Sequence, residues 1–118
     1  MPSAPSTDNC LVIAGQLAGV CETRVSPAGI PISRFLVEHY SEQTEAGVSR
    51  EARCQIAVIA CGELLARIAD RLPSGTAVRV RGFLSRADHR GGQYRLVLHA
   101  AHIEILPDIL VHNGSPED

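Results

Sequence analysis

One segment of the chain carries helical periodicity. In ELLARIADRL (residues 63–72), Leu64, Leu65, Ile68 and Leu72 fall on one side, with Glu63, Arg67, Asp70 and Arg71 opposite. Pro73-Ser74-Gly75 then stops it. The flanking sequence alternates or runs apolar as strands do, so the fold must seat one short helix between three strands and two. The first strand, CLVIAGQLAGV from Cys10, contains Gly15, which marks a strand that bends or is closely approached. RVSPAGIPI supplies turn chemistry. Ile32 to Tyr40 is the second strand, with Phe35, Val37 and His39 on one face and Arg34, Leu36, Glu38 and Tyr40 on the other. SEQTEAGVS is polar and acidic and is expected to be a loop. REARCQIAVIACG is the third strand, polar on one face at its start and apolar further on.

After the helix, TAVRVRGFL sends Val78 and Val80 one way and Arg79 and Arg81 the other. Gly82 is expected to mark a bulge, which leaves the facing of Phe83 open. QYRLVLHAAHIEIL is the fifth strand, with a break near Ala100 and Ala101. The economical solution is an all-β, five-stranded Greek-key barrel of the OB type, with the helix between strands three and four plugging one end. An SH3-like barrel or a small α+β sheet explains the helix position less well. At 118 residues the chain is one domain. It divides into a Pro/Ser-rich tail at 1–8, the barrel at 9–107 and a second tail at 108–118.

No apolar run approaches the roughly 20 residues of a membrane span. The opening MPSAPSTDN lacks the basic patch and apolar core of a signal peptide, so a cytoplasmic protein is expected. Cys10, Cys21, Cys54 and Cys61 show no C-x-x-C spacing and are expected as buried, reduced thiols, with a zinc site or redox pair as the alternative. No nucleophile elbow, phosphate loop, zinc-protease motif or paired acidic motif is present, so no catalytic residue, metal or cofactor is assigned. His99 and His102 are spaced H-x-x-H, and on a regular strand they point to opposite faces.

The net charge is −2, but it is segregated. From Arg79 to Arg95 five arginines face one acid, Asp88, a local balance of +4 that leaves −6 for the rest. Every cation is arginine, which forks onto phosphate and stacks on bases. The hairpin SRADHRGGQYRLVL (residues 85–98) is the strongest functional candidate. It places Arg86, Arg90 and Arg95 around Gly91-Gly92, with Tyr94 able to stack a base. In an OB barrel this hairpin is one of the two loops that wrap an oligonucleotide. The alternative is a solvated turn that protects an edge. Arg34 and Tyr40 on strand two, and Arg53 with Gln55 on strand three, form a second group. If both faces are outer, they make a shallow basic groove. The alternative there is a wet sheet face on which Arg34 pairs with Glu38. Outward Leu36 and Val97 make a homodimer interface a further possibility.

VSPAGIP, FLVEHYSEQTEAG, RCQIAVIACG and VRGFLS through LVLHAAHIEIL resemble the primosomal replication protein N (PriB) family. The resemblance runs over Asn9 to Pro107, and the family is in turn similar to single-stranded DNA-binding proteins. It implies a homodimeric OB fold that binds single-stranded DNA without sequence preference. It also implies contact with the primosomal helicase PriA and with single-stranded DNA-binding protein during replication restart. Carried over residue by residue, it implies DNA contacts from Arg24, Arg90 and Arg95, with Tyr40, Val48 and Arg53 on the sheet side. The chain departs from the family pattern where Val48 and Arg53 replace an aromatic platform and Asp88 replaces a base. Weaker, more salt-sensitive DNA binding is the expected consequence. The alternative function is a protein-interaction adaptor with weak or lost nucleic-acid binding. The short tail after the last strand fits an accessory factor rather than a strand-coating protein.

Overall fold

The computed structural model describes residues 6–87 and 95–107. Its strands are β1 (Leu11–Val25), β2 (Pro31–Glu45), β3 (Val48–Cys61), β4 (Ala77–Arg86) and β5 (Leu96–Ile105). They close a barrel in the order β1-β2-β3-β5-β4, and helix α1 (Glu63–Asp70) lies between β3 and β4. Neighbours are antiparallel except β3 and β5, which run parallel where Ala57–Ile59 meets Val97–His99. A parallel pair needs a crossover, and α1 with β4 supplies it. This is the OB closure expected from the element order.

The core follows the period-2 pattern. Phe35, Val37, Val58, Ala60, Val78, Val80 and Leu98 are buried and packed in one cluster. On α1 the buried side is centred on Ala66 and Ala69, followed by Leu72, with Leu65 and Ile68 only partly covered. Leu64, expected in the apolar stripe, is 70% exposed. Two alanines let the helix backbone settle close over the barrel mouth. There the fully buried Ser33 hydroxyl lies 2.7 Å from the Thr23 hydroxyl and donates to the Ala66 carbonyl at 3.3 Å. The group is therefore satisfied where β1, β2 and α1 meet.

Three further expectations change. The polar stretch 41–49 is not a loop: β2 and β3 continue through it as a ribbon, in register from Ile32↔Cys61 to Glu45↔Val48. Ala46 (φ 52°) and Gly47 (φ 78°) close it in a two-residue turn. Successive positive φ values match the right-handed twist of the strands, which is why so tight a turn works here. No core lies under this ribbon, so its sequence shows no hydrophobic alternation. Second, the extra residue of the β4–β5 bulge is Ala101, not Gly82. Register passes from Arg81↔His102 to Gly82↔Ala100, so β4 keeps its alternation. Arg81 and Phe83 both face outward, and His99 and His102 share that outer face rather than opposing one another. Gly82 serves a different purpose, since a Cβ there would collide with the His99 backbone carbonyl. Third, the cysteines are free thiols, but Cys10, Cys54 and Cys61 are exposed and Cys21 only half-buried.

Asn9 anchors the start of the barrel. Its side chain donates to the Leu84 carbonyl and accepts from the Leu84 N–H, both at 2.9 Å, which continues the β1–β4 ladder by one rung. Among the described residues, no helix is long and apolar enough to cross a membrane.

Candidate nucleic-acid interface

The outer face of β2, β3 and β5 carries two cross-strand rows. One is Leu36–Ala57–Val97, and the other is Arg34–Ile59–His99. Alternation forces this: Phe35, Val58 and Leu98 are core residues, so their neighbours on each strand must face out. Ala57 and Val97 nevertheless stay only 9% and 6% exposed. They floor a groove walled by Arg34, Gln55, Ala87 and Arg95. Arg34 also borders a second depression, with Arg24, Thr23 and Ile32 around it and the carboxylate of its β1 register partner Glu22 on the same rim. Arg34 lines both, so Arg24, Arg34 and Arg95 follow one path, with the apolar floor between Arg34 and Arg95. Glu38 accepts from Gln55 at 3.4 Å, and Arg34 has no ion pair among the described residues. The Arg34–Glu38 pairing considered from sequence does not form.

Tyr40 and Arg53 form the rung beyond Glu38–Gln55 on the same face. The Arg53 guanidinium carbon lies 4.5 Å from the Tyr40 ring centroid, and its Nε sits 3.5 Å from Glu51. The cation thus lies over the ring and is tethered to a carboxylate. On the next rung of this face Glu42 opposes Glu51 directly, a destabilising like-charge pair that repels phosphate. Val48 is exposed next to the ribbon turn and offers no ring. Arg86 has the opposite parity from Ser85 and does not line the groove. A backbone bond from the Ala87 N–H to the Arg95 carbonyl at 2.7 Å closes the base of the 85–98 hairpin. Arg90 and Tyr94, with Asp88, lie outside the described residues.

One feature of this surface escaped the sequence reading. Phe83 and His99 stack across β4 and β5, with ring centroids 4.9 Å apart and planes 11° apart. The signal available was the Ala100-Ala101 pair, which marked the break without saying which strand held the extra residue. Among the described residues, no group of three or more His, Cys, Asp or Glu is arranged to hold a metal ion.

The geometry has counterparts in known proteins. A family model described as another single-strand binding protein family (SSB_1) matches residues 9–102. The replication restart protein PriB of Photorhabdus laumondii is 45% identical over 100 residues, spanning 85% of this chain and 95% of that protein. The chain belongs to the PriB family of single-strand binding proteins. The PriB-family relative from Proteus mirabilis is 41% identical over the same share of each chain. The solved structure of PriB from Ralstonia solanacearum superposes with a TM-score of 0.71 at 29% identity, covering 84% of this chain and 98% of that one. A single-stranded DNA binding protein from Thermus aquaticus shares the fold at 22% identity and a TM-score of 0.71, covering 84% of this chain and 50% of the other.

Proposed function

We propose that this PriB-family chain binds single-stranded DNA, without sequence preference, as an accessory factor of replication restart. The observation that carries it is the path from Arg24 through Arg34 to Arg95, the last two flanking the Leu36–Ala57–Val97 floor. That path crosses the strand 2–3 face, next to the hairpin that OB barrels use for oligonucleotides. Contacts of this kind read phosphates and ring faces rather than base edges, which makes binding indifferent to sequence. Arg53 with Tyr40, Arg86, Arg90 and Tyr94 extend the surface in this reading. The protein works as a homodimer, which doubles the basic path, and its partners are the helicase PriA and single-stranded DNA-binding protein. It acts by holding exposed strand and tethering the helicase to it.

Anisotropy of a labelled oligo(dT), titrated across salt, tests this. Each phosphate neutralised on a single strand contributes a log–log slope of about −0.7, so three engaged arginines give about −2. No binding at low salt overturns the proposal in favour of the adaptor reading, which the Glu42–Glu51 rung favours.

A further inference from the structure

We infer that the outward-facing Phe83–His99 stack is a second base-stacking platform for single-stranded nucleic acid, on the β4–β5 side of the barrel. This rests on the DNA-binding reading above and extends its path. Three observations support it.

The first is continuity. Arg34, Ile59, His99 and Phe83 are register partners across β2, β3, β5 and β4, one row over four strands. Three inter-strand steps of about 4.8 Å put Phe83 roughly 14 Å from the arginine that joins the two grooves. The second is presentation. Phe83 stays 48% exposed with His99 stacked against it, so an incoming base extends an existing stack. Gly82 makes the stack possible by admitting the His99 backbone where any Cβ would block it. The third is charge. Arg81 lies two residues before Phe83 on the same face, opposite His102, and has no ion pair among the described residues. Glu104, the acid on this part of β5, is already engaged by Arg79 at 2.9 Å. A ring pair flanked by an uncompensated guanidinium is the combination that single-strand binders use. A cross-strand pair serving stability alone needs neither the arginine nor the shared row.

The full chain contains no tryptophan, so Phe83→Trp installs a single reporter at the platform. The probe is oligo(dT) of graded length, followed by anisotropy of a label on the DNA and by tryptophan emission. The expected result is that emission falls in step with anisotropy. Phe83→Ala should weaken long oligonucleotides by about ten-fold and leave short ones, which the groove alone accommodates, unchanged. His99→Phe, which keeps a stack, should retain binding. Saturating anisotropy with unchanged tryptophan emission overturns the inference. So does a change in sedimentation mass for Phe83→Ala, which makes this face an interface between copies of the chain. Absence of any anisotropy change with the unaltered protein instead removes the DNA-binding reading itself, and the platform with it.

Discussion

Two ring–base pairs stand on the outer surface, and their surroundings differ. Tyr40–Arg53 sits on the ribbon, where Arg53 is held by the Tyr40 ring and by Glu51 and the next rung is Glu42 against Glu51. Phe83–His99 sits on the barrel body, in register with Arg34 and beside Arg81, which has no ion pair among the described residues. An aromatic ring near a cation is therefore not enough to identify a binding surface. What matters is whether the cation is already compensated and whether the pair adjoins an apolar floor. By both criteria the barrel face is the better candidate for nucleic acid, and the ribbon, with Glu42 against Glu51, the poorer one.

This contrast can be broken experimentally. The largest effect is expected from Arg34→Glu, which removes a charge-assisted phosphate contact and adds a repulsive one. Oligonucleotide affinity should fall by about a hundred-fold. Arg53→Glu should cost far less, because that arginine already has partners. Equal losses in an anisotropy titration would erase the distinction between the two regions. Next is Gly82→Ala, whose methyl group meets the His99 carbonyl. Forcing it in should cost about 2 kcal/mol and lower the melting temperature by roughly 10 °C. A melt matching the parent chain would show that β5 yields freely and that the stack is not held by this close approach. The smallest effect belongs to Glu51→Gln, which releases Arg53 and relieves the opposed carboxylates. A gain of about two-fold in affinity is expected with unchanged or slightly raised stability. A weaker complex would mean that Glu51 positions Arg53 for the ligand.

Much of this fold is legible in the sequence. The lone helical segment between strands three and four set the topology, and alternation in β2 correctly separated Phe35 and Val37 from Arg34 and Leu36. What failed depended on non-local pairing. The ribbon at 41–49 is held by its cross-strand ladder rather than by burial, so hydrophobic periodicity had nothing to register. Leu64 was assigned inward because helical spacing fits it, yet the close seat on Ala66 and Ala69 leaves it outside. Sequence leaves the facing of Phe83 open and puts His99 and His102 on opposite faces, because facing depends on which strand carries the extra residue, and only pairing decides that. At the site, parity places Arg34 in the groove, whereas Arg86, a sequence candidate, does not line it, and Arg90 and Tyr94 lie beyond the described residues.

The short parallel seam has a consequence of its own. Among the described residues β3 and β5 pair where Ala57–Ile59 lies beside Val97–His99, the shortest ladder in the barrel. Brief ladders are where local opening begins. Both outer rows cross that seam, so a strand laid along them acts as a suture over the joint. Occupancy by such a strand would stiffen the cylinder at its weakest stitch, and a bound state of this kind would be the one least able to unzip.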